Sequence, residues 1–428
     1  MDILKSLINM KYLFILAILF LNSSCTKDIV TNSEGTIVSL KSFWSTSNSD
    51  DGRISESGII REGIYYNGSI IIGGRLKNER CLIMINTTDG SAVWKWQNYP
   101  TKTGNRDIYF PLLVNSDLIY STSLYNFKIG LNDGVSKWAN TFKYGFYNFN
   151  IFFNNEIYTG NASFGNENGQ AIGAYKISIN SGKSEFLVPV KVDTLGKLNN
   201  TSYSGGVPFA YPFLNNQDTM LSLIEDDPPG AGFKFNLTTY LYNVSKKTWV
   251  YERMPLFDAS ISGVEGKPLV SGNFMYVCSG GKTVCFNMLT SEKRWVNYFS
   301  DGGVPSSFLT STPLLADGKL FIQNENTYLY CLDPVSGTQI WRQGNFGTCS
   351  HMEYLNGVVY FVSGGEGKLY AIDAANGNKL WAIPSPDLKF NSSASFDGYV
   401  GLVPPQNGQK GKIVVTTGLN AYCYEAYK

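Results

Sequence analysis

Histidine, the side chain that most enzymes use to move protons near neutral pH, occurs once in this chain of 428 residues, as His351 close to Cys349. Ser-His-Asp and Cys-His catalysis each need an imidazole beside a nucleophile, and imidazole-rich zinc sites need several. A lone histidine opening an apolar run reads as a packed or surface residue. There is no Cys-x-x-Cys-His for haem and no Gly-x-x-x-x-Gly-Lys-Ser/Thr for phosphate. Glu225, Asp226 and Asp227 precede Pro228, Pro229 and Gly230, and three carboxylates together could hold calcium. Their spacing fits no calcium loop, however, so they read as a solvated, proline-stiffened hairpin end. Cys278 and Cys285 would face each other across a Gly281-Lys282 turn, which makes them the one pair spaced for a disulfide. The expectation is no catalytic residue, no metal and no cofactor.

What would position any functional group is a repeat. Leu369-Tyr370-Ala371-Ile372-Asp373 runs through Gly377 and Lys379 to Trp381, and Leu329-Tyr330-Cys331-Leu332-Asp333 runs through Gly337 to Trp341. Seven such phrases close on Trp94, Trp138, Phe186, Trp249, Trp295, Trp341 and Trp381, at intervals of 40 to 63 residues. Intervals of roughly 40–50 residues suit four-stranded propeller blades. In five copies a polar residue (Asn86, Ser178, Asn287, Asp333 or Asp373) stands eight positions before the aromatic. Asn132 and Asn243 stand only six before Trp138 and Trp249, which predicts two shortened hairpin turns. Upstream of each phrase lies a second hairpin signal, such as Asn356-Gly357 between apolar runs. Two hairpins per repeat give four strands.

The C-terminus carries half a phrase, Leu419 to Glu425, without its aromatic. Residues 36–44, ending at Phe43-Trp44, supply the missing half. Pairing them closes a ring and removes exposed sheet edges. The fold class is therefore all-β: an eight-bladed propeller of four-stranded antiparallel blades, the last closed by the N-terminal strand. Seven blades is the alternative if the unit ending at Phe186 forms none. Trp44, Trp94, Trp138, Phe186, Trp249, Trp295, Trp341 and Trp381 are expected to wedge between neighbouring blades, each aromatic ring burying roughly 150–250 Å².

The phrase from Ala371 to Trp381 resembles the tryptophan-docking motif of the PQQ-like β-propeller family, and the resemblance extends over residues 36–428. That superfamily includes quinone-dependent dehydrogenases, whose usual adjacent cysteines and clustered Glu, Asn and Asp find no counterpart here. A quinone-dependent dehydrogenase is accordingly the least favoured reading.

Composition fits the repeat: 43 glycines and 14% aromatic residues serve turns and strands, and only 16% of residues are charged. Lys and Arg number 35 against 34 Asp and Glu, which leaves no basic stripe for nucleic acid. Residues 1–24 differ. Lys5 and Lys11 precede an apolar run over 12–21, followed by Asn22-Ser23-Ser24-Cys25, the pattern of a signal peptide that resembles a bacterial lipobox. Cleavage before Cys25 would leave a palmitate-bearing cysteine and a polar tether over 25–35. Thr26 in place of Asp favours the outer membrane, with a periplasmic or a surface-exposed orientation both open.

A lipid-tethered propeller of this kind resembles the BamB family, scaffolds of outer-membrane protein assembly. The resemblance implies a non-enzymatic scaffold that binds a protein partner at the outer membrane. A surface-exposed lipoprotein that binds glycan or another nutrient is the alternative.

Overall fold

The computed structural model describes residues 42–47, 63–76, 79–97, 110–121, 125–141, 149–164, 172–190, 203–227, 235–260, 264, 266–301, 304–305, 311–324, 326–344, 346–347, 350–363, 366–390, 395–406 and 408–428. The signal peptide, Cys25, the tether, the first part of the N-terminal repeat half, Cys349 and Pro228 to Gly230 lie outside these residues.

Among the described residues eight blade sheets are built from consecutive hairpins, besides a two-stranded ribbon of Ser300–Asp301 and Val304–Pro305. The seventh shows the pattern: Glu353–Leu355, Val358–Ser363, Lys368–Asp373 and Lys379–Pro384 pair in chain order, all antiparallel. The same order recurs over 64–96, 112–141, 151–189, 203–260, 269–298 and 314–343. The eighth sheet takes Phe396–Val403, Lys412–Thr417 and Asn420–Glu425 from the C-terminus and Trp44–Ser47 from the N-terminus. Trp44 stands opposite Cys423, as Trp341 stands opposite Cys331 and Trp381 opposite Ala371. The ring therefore closes as the repeat requires. The unit ending at Phe186 is a full four-stranded blade, so the count is eight.

First strands of adjacent blades approach one another, as 353–355 does 396–403, which makes the first strand of each blade the inner one. The turns between first and second strands lie on the same face of the disc as those between third and fourth. The remaining connections emerge on the opposite face. Asn67, Asn115, Asn154, Asn216, Asp317 and Asn356 take positive φ in the first of these turns, the conformation that two-residue hairpins with right-handed twist demand.

Each blade is covered on both sides, which explains why its central strands do not alternate in polarity. All six residues of Val358–Ser363 are buried. The apolar clusters accordingly lie in the seams between blades. One joins Phe321, Leu329 and Cys331 of the sixth blade to Val359, Phe361 and Tyr370 of the seventh.

The seams hold many buried phenols. Burial pushes Tyr251, Tyr276 and Tyr360 up to about 12, and raises Tyr240, Tyr422 and Tyr424 further, with help from the carboxylates of Glu225 on Tyr240 and Asp387 on Tyr422. An acid whose pKa rises on folding stabilises the fold below its unfolded value, near 10 for tyrosine, and that stability is lost as pH climbs through the folded value. The protein should keep its full stability up to about pH 10 and lose it steeply towards about pH 12. An ultraviolet phenolate titration should show these rings ionising together with loss of circular dichroism. Ionisation of all tyrosines near pH 10 with the fold intact would contradict the burial.

Candidate functional site

In five seams an indole from one blade lies flat against a glycine of the next. The pairs are Trp44 on Gly90, Trp94 on Gly134, Trp138 on Gly182, Trp295 on Gly337 and Trp341 on Gly377. A Cβ at any of these glycines would fall 2.6–2.8 Å from a ring carbon, closer than atoms can sit. All five also take positive φ, from 68° to 78°. Each indole Nε1 then donates to the carbonyl of the residue that follows the first turn residue: Thr87 at 3.1 Å, Leu131 at 2.7 Å, Ile179 at 3.0 Å, Pro334 at 3.1 Å and Ala374 at 3.2 Å. Trp381 is buried in the cluster that holds Tyr424 and Ala426 of the eighth blade.

Two turns that the sequence suggested were shortened are full length. In the second blade Gly130 occupies the place of Asp373: its amide donates to Val135 O as that of Asp373 does to Asn378 O. A side chain at 130 would collide with the carboxylate of Asp133, which caps the turn by accepting from Val135 N at 3.0 Å. The spacing of eight therefore runs from Gly130 to Trp138, and Asn132 lies inside the turn. In the fourth blade Asn243 is correctly the first turn residue, because Val244 N donates to Thr219 O as Ala374 N does to Gly357 O. The residue eight positions on is Tyr251. Its hydroxyl donates to Met288 O at 2.7 Å, the carbonyl that an indole reaches elsewhere.

Trp249, expected as the wedge, faces the other way. It stands opposite Tyr242 and packs on Tyr240 and Tyr242, with ring centroids 5.6 and 5.0 Å away, in the seam towards the third blade. Holding the spacing of eight fixed, instead of seeking the nearest tryptophan, would have found Tyr251. Phe186 also departs from expectation. It is 38% exposed and leans on Tyr175 of its own sheet at 4.9 Å. The glycine place opposite it is held by Lys247, φ 56°, whose Cβ fills the space an aromatic ring would need. The place opposite Tyr251 is held by Ser291, φ 60°. Where the wedge is not an indole, the partner is not glycine.

The acidic run is not a solvated hairpin end in its first two residues. Glu225 and Asp226 are buried on Asp218–Asp227, the long second strand of the fourth blade. Glu225 Oε2 accepts from Tyr240 OH at 2.5 Å and Thr238 Oγ1 at 2.6 Å, and Asp226 Oδ1 accepts from Gly206 N at 3.0 Å. The excess residues between Phe186 and Trp249 are therefore spent partly on longer strands. Among the described residues no group of three or more His, Cys, Asp or Glu could hold a metal ion.

Cys278 and Cys285 are free thiols. The turn is Gly280-Gly281, so Cys278 faces Thr283 and Cys285 faces Tyr276. The register differs by two residues from the one a disulfide would need. His351 Nε2 lies 3.6 Å from Glu353 Oε1, while Ser350 Oγ donates to His351 O and so directs its proton at a carbonyl, not at the ring.

The ring and its seams define an eight-bladed β-propeller. Within that class, residues 300–418, the sixth and seventh blades and most of the eighth, match the family described as outer membrane protein assembly factor BamB. BamB from Moraxella catarrhalis superposes with a TM-score of 0.54 at 10% identity, over 91% of this chain and 98% of that one. A europium-containing methanol dehydrogenase gives 0.65 at 10% identity, over 90% and 93%. The designed protein Ika8 gives 0.58 at 10% identity, over 90% and 100%. At such identities the likeness is one of fold. No curated protein sequence matches the chain.

Proposed function

We propose that the protein is a non-enzymatic lipoprotein scaffold that holds a protein partner at the outer membrane, in the service of outer-membrane protein assembly. The observation that carries this reading is the match of residues 300–418 to the BamB family. It is supported by the Asn22-Ser23-Ser24-Cys25 pattern after a short apolar run. Residues 1–24 would be removed, Cys25 would carry palmitate, residues 25–35 would form the tether and 36–428 the propeller. No helix among the described residues is long and apolar enough to cross a membrane, so on this reading attachment rests on the lipid. A rigid ring loses little conformational freedom when its surface engages, so contact area is converted efficiently into affinity.

One experiment tests both parts. Cells expressing the wild type or Cys25→Ser are fed labelled palmitate, crosslinked and fractionated. The wild type should carry label, sediment with outer membranes and recover a defined protein partner. Cys25→Ser should lose the label and leave the membrane fraction. Unlabelled wild type would remove the anchor. Failure to crosslink any specific protein, with release of the cell-surface chain by added glycan, would replace the scaffold by the nutrient-binding reading.

A further inference from the structure

We propose that the ring has one built-in opening seam, between the third and fourth blades, hinged on one face and unfastened on the other. The inference concerns the ring itself and does not depend on the function proposed above.

On the turn face, five seams carry an indole on glycine with a hydrogen bond, and a sixth carries the Tyr251 hydroxyl on Met288 O at 2.7 Å. The seam between the seventh and eighth blades buries Trp381 at 3% exposure. Only the third blade presents a side chain with no donor, Phe186, which is 38% exposed. Lys247 stands where the receiving glycine would be. Phenylalanine cannot donate to the Val244 carbonyl, and the Lys247 Cβ prevents its ring from lying flat.

The opposite face of the same seam is joined by backbone. Ala162–Phe164 leaves the third blade and pairs with Tyr203–Asn215, the first strand of the fourth. Asn161 Oδ1 accepts from Gly173 N at 2.7 Å, while its carbonyl accepts from Val207 N at 2.9 Å. At Gly160 the two blades touch so closely that a Cβ would lie 1.9 Å from Val207 O. Strand pairing on one face and no hydrogen-bonded wedge on the other is the arrangement of a hinge. The seam itself is filled by Ala174, Val188, Ala210 and Leu221 together with Tyr158, Tyr240 and the half-buried Trp249, which opening would expose. Sub-global openings of this kind occur well below the free energy of full unfolding.

Native cysteines supply internal standards. Cys285 lies in the seam between the fifth and sixth blades and Cys331 in the next, both fully buried, with burial pushing their thiols up to about 11 and about 12. In the folded full-length chain carrying Ala174→Cys, N-ethylmaleimide modification would be followed by peptide mapping. The thiol at 174 should react at least about tenfold faster than Cys331. Adding Phe186→Trp and Lys247→Gly together should install the missing fastener and slow it to the Cys331 rate. Ala210→Cys repeats the measurement from the fourth-blade side should the first variant not fold. A thiol at either position that reacts no faster than Cys331, or a fast rate untouched by the double substitution, would overturn the proposal.

Discussion

Gly377→Ala is expected to destabilise the protein far more than Gly68→Ala, although the two glycines share nearly the same backbone, φ 78° and 77°. A left-handed conformation costs a residue with a Cβ about 1–2 kcal/mol, and both variants bear that strain. They differ in what the new methyl group meets. Around Gly68 nothing lies within 4 Å, whereas at Gly377 the methyl would sit 2.6 Å from Trp341 Cε3. Driving the indole off its seat adds an overpacking penalty of about 1–3 kcal/mol and strains the bond to Ala374 O. Trp341→Ala removes the wedge outright and should cost about 3–5 kcal/mol. Combined, Gly377→Ala and Trp341→Ala should cost less than their sum, because the clash vanishes with the ring. Urea unfolding of the four variants measures each quantity. Equal losses for Gly377→Ala and Gly68→Ala would mean that the contact between indole and glycine contributes nothing.

The same contact explains what was legible in the sequence. A wedge that must lie flat on a glycine and reach one carbonyl fixes the spacing between turn and aromatic, and that spacing recurs visibly through the chain. The blade count and the closure of the ring by Trp44–Ser47 followed from it. What misled was residue type. Trp249 looked like the wedge because it is a tryptophan, yet strand alternation turns it towards the third blade, and a less conspicuous tyrosine does the reaching. Gly130 was passed over because the turn was expected to begin with a polar side chain, which Asp133 supplies from three positions on. Glu225 was misplaced for a different reason. A carboxylate beside a diproline reads as a loop tip, and only the tertiary arrangement brings Tyr240 and Thr238 to it. Local pattern encodes contacts of fixed spacing; buried polar partners drawn from neighbouring strands leave no such trace.

The second large effect is expected at Asp387, and it follows from how the ring is closed. The eighth blade is assembled from the two terminal regions, its third strand, Asn420–Glu425, pairing with Trp44–Ser47, so no third-to-fourth hairpin turn receives Trp381. What fastens this blade on the opposite face is a carboxylate. Asp387 lies in a 3-10 turn, Pro386–Lys389, just after the seventh blade ends, with its amide capped by Ser385 Oγ at 3.2 Å. It is 2% exposed and accepts from Thr417 Oγ1 at 2.6 Å, Tyr422 OH at 2.5 Å and Asn420 Nδ2 at 3.0 Å. Thr417 ends the second strand of the eighth blade and Asn420 begins the third, so one side chain ties the incoming connection to two strands of the closing blade. The Tyr422 phenol, its pKa raised by burial and by this carboxylate, keeps its proton and can only donate. Asp387→Ala would take the acceptor from buried Thr417 and Tyr422 and half-buried Asn420 at once and should cost about 3–5 kcal/mol. Tyr422→Phe removes one charge-assisted bond and should cost about 1.5–3 kcal/mol. Because the carboxylate guards closure, Asp387→Ala should also speed amide exchange in the ladder between Trp44–Ser47 and Asn420–Glu425 more than in the fifth blade, which it does not touch. An Asp387→Ala variant that melts with the wild type, or loosens all blades alike, would show that closure rests on the strand pairing of the two termini alone.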